Sequence, residues 1–164
     1  MCTDSVVRAR PHPPLRRMGR MTPRSDVPTT PDERLRARLA PVMQTALRRQ
    51  LWLFFLDADD EVVGPVMPCE DYPIDPAEPV VVDDLGPVTT GDLFAARFAG
   101  LIEEFGFDRI ALVWERVGEA RLDVETRTWA SALGAALARQ GVRVRAQMLL
   151  HDRGLRMLDA DNRT

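Results

Sequence analysis

The chain predicts a single α/β domain with a mixed sheet of the three-layer type. Its elements run in the order α-β-β-(β)-α-β-α-β-β, behind a tail rich in arginine and proline. Three observations carry this reading. A length of 164 residues with 45% hydrophobic composition suits one well-filled core. Two continuous apolar runs of strand length, residues 51–56 and 110–114, are each bounded by polar residues. Residues 90–105 and 122–137 instead repeat their apolar positions at helical spacing, and strands alternating with helices are the signature of α/β layering.

Taken in order, residues 1–30 hold five Pro and six Arg against two Asp, with almost no apolar periodicity, which predicts a disordered tail before a domain at 31–160. Met18 and Met21 could each initiate translation inside that tail. Thr30-Pro31-Asp32-Glu33 then combines a capping threonine, a proline suited to the first helical position and a glutamate placed to close a capping box. Leu35, Leu39, Val42, Met43, Ala46 and Leu47 keep one helical face, with Pro41 expected to kink or restart the helix. Residues 51–56 read as a buried strand closed by the acidic turn 57–61, and 62–67 as a returning strand in which Gly64-Pro65 marks a bulge or an edge. Four Pro and four acidic residues make 68–79 a long loop, with Tyr72 and Ile74 tucked down and 80–82 a short third strand.

Phe94, Phe98, Leu101, Ile102 and Phe105 mark the face of the helix over 90–105, and Gly106 suits its left-handed end. The strand at 110–114 leads through a loop to Leu122-Asp123, a staple and N-cap for the helix carrying Trp129, Leu133, Ala136 and Leu137, which Gly141 ends. Val142, Val144, Ala146, Met148 and Leu150 alternate with Arg143, Arg145 and Gln147, predicting a strand with one wet face. A turn at 151–154 and a closing hairpin strand at 155–158 complete the chain.

Composition excludes more chemistry than it suggests. Formal net charge is -3, so no overall field draws the protein to nucleic acid or an anionic membrane. All 22 basic residues are Arg, which reads as the codon bias of a high-GC bacterium and weakens Arg as a sign of phosphate recognition. Without Lys there is no Schiff-base amine and no phosphate-loop lysine. His12 and His151 are too few for a multi-histidine metal site, and Ser131 lacks the glycines of a serine-hydrolase elbow. Cys2 and Cys69 form no CxxC pair, no apolar run has membrane-spanning length, and Arg16-Arg17 is followed by no apolar signal core. The expectation is a cytoplasmic protein with free thiols and no membrane partner.

Several positions remain as candidates. The strand end at Asp57-Ala58-Asp59 resembles the first motif of haloacid-dehalogenase-like phosphatases, in which one Asp is a nucleophile and the second helps hold Mg²⁺; a plain polar turn is the competing reading. Calcium ligation by Asp57, Asp59 and Glu61 lacks the glycine and distal glutamate of an EF-hand loop. His151 beside Asp152 has no nucleophile to serve. Arg143 and Arg145 share a strand face that Arg156 joins across the hairpin, a solvated stripe or a site for an acidic partner. Trp114, followed by Glu115 and Arg116, ends a buried strand where α/β proteins place ligands, so it reads either as core or as docking residue.

From Leu51 onward the element order also resembles the JAB/MPN metalloprotease-like fold, especially its RadC-type branch. That family runs an apolar strand into His-x-His, with Ser-x-x-Asp at the start of the next helix and a glutamate upstream, the set that makes its zinc site. Here the His-x-His positions read Trp114-Glu115-Arg116, the helix start offers Asp123 and Thr126 one residue out of register, and Val66 and Met67 stand near the upstream glutamate, with Glu70 the nearest acid. The resemblance therefore implies a pseudoenzyme that keeps the fold without zinc chemistry. The function expected is a non-catalytic interaction or accessory module without a cofactor, acting on a protein partner through Trp114, Arg116, Arg143 and Arg145; nucleic acid would need the tail and the Arg143/Arg145 face. The alternative is a Mg²⁺-dependent phosphoryl-transfer enzyme using Asp57 and Asp59.

Overall fold

The computed structural model describes residues 30–159. The expectations for the tail, Cys2 and His12 concern residues outside that range. The first helix, α1 (Pro31–Leu39), starts as its sequence dictates: Glu33 N–H donates to Thr30 Oγ1 at 3.1 Å, and Thr30 N–H donates to the Glu33 carboxylate at 3.0 Å. It stops at Ala40, because Pro41 has no N–H to continue the ladder. No helix restarts. Met43 and Ala46 are buried from irregular backbone, while Val42 and Leu47, expected on the same apolar face, are 60% and 78% exposed.

Strand β1 (Gln50–Leu56) follows and is buried along its whole length except for Trp52. The returning strand expected at 62–67 does not form as such. Val62 makes a single bridge to Leu56, and the chain then leaves the sheet through Gly64 with φ of +89°. An added Cβ there would lie 2.7 Å from the Phe107 ring, which stacks on Phe55, so this crossing requires glycine. Pairing resumes at β2 (Met67–Cys69), set against Leu51, Trp52 and Leu53 with Pro68 at its centre.

The expected third strand, β3 (Pro79–Val82), pairs with an unforeseen β4 (Gly86–Thr89) as a separate two-stranded sheet. Helix α2 (Thr90–Phe105) follows, capped by the Thr89 hydroxyl and ended by left-handed Gly106. Strand β5 (Arg109–Glu115) pairs antiparallel with β1 and parallel with β6. Helix α3 (Val124–Arg139), with Asp123 as N-cap, connects β5 to β6 (Val144–His151). A tight turn leads to β7 (Gly154–Met157).

The main sheet has the order β2-β1-β5-β6-β7, with β5–β6 its one parallel pair. Helices α2 and α3 cover one face, packing Phe98, Trp129, Leu133 and Leu137 on Leu51, Leu53, Ile110, Leu112 and Leu149. On the other face α1 packs Leu35 and Leu39 against Phe54, Val113, Met148 and Leu150. The protein is thus a mixed α/β structure of three layers.

Coverage on both sides corrects the wet face expected for β6. From Ala146 onward every residue of that strand is buried, Gln147 included at 2% exposure. The register slips between Ile110 and Ala111, so that Val144 faces the α2/α3 core and Ala146 the α1 core, with Arg145 the extra residue of a bulge. Bulges re-aim side chains, and this one directs Arg145 toward α1.

Candidate functional site

The predicted site residues are dispersed by the fold. Arg143 precedes β6 and is exposed. Arg145 donates to the Asp60 carboxylate through Nε and to the Asp32 carboxylate through Nη1, both at 2.8 Å. Arg156 donates to the Ala120 carbonyl at 2.6 Å. The three do not form a stripe, because the bulge separates Arg143 from Arg145 and β7 meets β6 only from Met148 onward.

Asp57 and Asp59 lie in a turn tied down by arginines. Asp57 Oδ1 accepts the backbone N–H groups of Asp59 and Glu61, both at 2.9 Å, which makes it the cap of its own turn. Asp59 points to solvent. The inward acid is Asp60, left-handed at φ of +61°, whose carboxylate accepts from Arg109 at 3.2 Å as well as from Arg145. Arg38 binds the carbonyls of Asp59 and Asp60 and pairs with Glu61 at 2.5 Å. Among the described residues, no three His, Cys, Asp or Glu side chains converge as a metal-ion set.

At the end of β5, where the resembled family carries His-x-His, three side chains are bonded inward. Trp114 is 1% exposed, its ring edge-on to Tyr72, and its Nε1–H donates to Gln147 Oε1 at 2.8 Å. Gln147 in turn donates to the Ala130 carbonyl of α3 at 3.0 Å. This placement realises the core alternative for Trp114 and leaves it no surface for docking. Glu115, 5% exposed, accepts from the N–H groups of Leu47 and Arg48 and, at 2.7 Å, from Trp52 Nε1, so its buried charge is hydrogen-bonded on both oxygens. Arg116 pairs with Asp123 at 3.1 Å and donates to the carbonyls of Glu119 and Arg121, bracing the loop that enters α3. Beside it a cleft of about 480 Å³ is lined by Arg116, Arg121, Leu122, Asp123, Val124 and Arg127.

His151 is 8% exposed, and burial, reinforced by Arg156 and Arg153, holds its imidazole below the usual histidine range. Its Nδ1 accepts from the Arg153 backbone N–H at 3.3 Å. Burial pushes the Cys69 thiol above its ordinary range, away from the thiolate form. Tyr72 is pushed up to about 12 by burial, with Arg49 acting in the opposite direction.

No protein-family model matches the chain, and no curated protein matches it either. Any functional reading therefore starts from the molecule's own surfaces.

One such surface escapes a search for catalytic motifs. Residues 50–96 carry eleven acidic side chains and no basic one, a segregation visible in the sequence once charges are read by position. The structure anchors the middle of this segment firmly. Arg49 stacks 3.8 Å above the Tyr72 ring, pairs with Glu125, and donates to the carbonyls of Tyr72 and Pro73. Trp129 Nε1–H donates to the carbonyls of Pro73 and Ile74, Gly91 N–H to that of Pro76, and Thr90 N–H to that of Glu78. Ile74, expected to be tucked down, is instead 72% exposed, because its backbone is what the core holds.

Proposed function

We propose that this protein is a non-catalytic interaction or accessory module, built on a JAB/MPN-like scaffold that has lost its zinc positions. The observation that supports this most directly is the fate of Trp114, Glu115 and Arg116: each side chain is committed to an intrachain bond that closes the end of β5. A site retained for hydrolysis keeps polar groups turned toward substrate, whereas these three hold the strand end, the 47–52 segment and the α3 entry together. The order of strands and helices after Leu51 is compatible with that ancestry. The setting we infer is cytoplasmic, from a sequence with two cysteines and no CxxC pair; no helix among the described residues is long and apolar enough to cross a membrane.

The phosphoryl-transfer alternative is disfavoured by the turn at 57–61, where Asp57 caps the backbone and Asp60 is neutralised by two arginines. Thermal unfolding in millimolar Mg²⁺, Mn²⁺ or Zn²⁺ separates the readings, because a cation bound only by the folded state raises Tm by mass action. The module reading expects no rise. A rise with any of these cations that disappears in Asp57→Asn refutes it in favour of the enzyme.

A further inference from the structure

The module reading leaves open which surface docks and what it receives. The hairpin β3–β4 has two unlike faces. Val80, Val82 and Val88 are turned partly inward, while Pro79, Val81 and Pro87 are exposed, with Val81 directly opposite Pro87 in the register and 76% accessible. This is an apolar sheet face without a covering element. In the chain flanking it Asp75, Glu78 and Asp83 are exposed, and among the described residues none of them has an ion-pair partner. Asp84, at the turn, is paired with Arg97 of α2.

Two features separate this face from an ordinary solvated hairpin. The charges its own segment supplies are of one sign, since no basic residue occurs between Gln50 and Ala96, and Arg97, the cation that reaches the turn, is taken up by Asp84. The base from which it springs is also anchored before any partner arrives, by the bonds from Thr90, Gly91, Trp129 and Arg49 into the preceding loop. An apolar strip anchored at its base loses less entropy on binding than a free one, and exposed acids in the adjoining chain select partners by charge.

We propose that the outer face of β3–β4 is the docking surface of this module, and that it receives an extended basic segment of a partner protein. In that segment arginine or lysine alternates with aliphatic residues. The aliphatic side chains rest on Val81 and its flanking prolines, and the cations meet Glu78, Asp83 and Asp75. The assignment rests on the module reading, and it names the partner's chemistry.

The test uses the full chain and a fluorescein-labelled octapeptide of alternating arginine and valine, with the glutamate–valine counterpart as control, read by anisotropy. The arginine peptide is expected to bind and the glutamate peptide not to, with affinity falling roughly tenfold between about 50 and 300 mM salt. The double variant Glu78→Gln/Asp83→Asn should weaken binding by about tenfold and Val81→Ser by several-fold, while Glu103→Gln/Glu104→Gln, an equal charge change on α2, should leave it unaltered. No binding, or an equal loss in the α2 variant, overturns the proposal, as does indifference to Val81→Ser. Binding that appears only after Arg16, Arg17 and Arg20 are changed to Gln assigns the face to the chain's own N-terminal segment and overturns the partner assignment. None of these failures touches the module reading, which stands or falls on the cation-dependent Tm.

Discussion

Removing the Trp114 side chain should be among the most damaging single changes this fold can suffer. The indole is 1% exposed and packed against Tyr72 and Trp129, and truncating such a residue to alanine costs about 3–5 kcal/mol. Its Nε1–H is also the donor to Gln147 Oε1, so Trp114→Ala leaves a buried amide oxygen without a partner, adding about 1–3 kcal/mol. The combined loss, about 4–8 kcal/mol, rivals the whole stability of a small domain. For a urea slope of about 2 kcal/mol/M, the midpoint should fall by at least about 2 M. Because a loss of that size is enough to prevent folding, Trp114→Phe is the informative companion. It keeps most of the packing, orphans the same oxygen, and should lower the midpoint by about 1 M. Adding Gln147→Leu removes both polar partners and should recover part of the loss, giving a coupling of about 1 kcal/mol or more in a double-mutant cycle. A Trp114→Ala protein within about 0.5 kcal/mol of the parent would refute the core assignment and return the indole to the list of surface residues.

Three further expectations follow from the same contacts. Asp60→Asn keeps a residue tolerant of the left-handed backbone but removes the charge between Arg109 and Arg145, and should cost about 1–3 kcal/mol in urea or thermal unfolding; a neutral outcome would mean that solvent screens these pairs completely. His151 is held below its unfolded value, so the unfolded chain binds the extra proton first. Stability should therefore decline as pH drops below about 6.5 and level off once the folded imidazole is protonated too. His151→Gln should lose that part of the pH dependence, and an unchanged profile would count against it. Gly64→Ala combines a positive φ with a 2.7 Å approach to the Phe107 ring, whereas Gly106→Ala has a positive φ and open space. The first should cost at least about 2 kcal/mol and the second about 1, with equal losses contradicting the steric account.

The parts of this fold legible from sequence were those held by local rules. Thr30 and Glu33, Asp123, Gly106 and the five apolar positions of α2 announce themselves within a few residues, and all lie where those rules put them, although Phe105 ends up 61% exposed. What could not be read depends on contacts across long separations. The alternation of valine and arginine from 142 to 145 implies a wet face, yet α1, more than a hundred residues earlier, covers β6, and a bulge gives Arg145 to Asp32 and Asp60. Strand β4 has little pattern of its own, with Gly86 and Pro87 in four residues; it exists because β3 pairs with it on a loop fixed to α2 and α3. Trp114 offered two meanings because its deciding partner, Gln147, lies on another strand. The acidic segment was open to view, but a search for catalytic spacing reads its members as turn residues one at a time.

The margins of the main sheet bear on how this protein can assemble. On one side β2 is three residues long with proline at its centre, and on the other β7 is four residues long with the Met157 carbonyl taken by the Arg156 guanidinium. Neither offers the run of free amide donors and acceptors along which a sheet grows from molecule to molecule. Open-ended polymerisation is thereby discouraged in a chain whose central strands, Gln50–Leu56 and Arg109–Glu115, are as apolar as those of many fibril-forming segments. The hazard is deferred to the unfolded state, where those strands lose their short, blocked neighbours. Conditions that open the domain should therefore precipitate this protein.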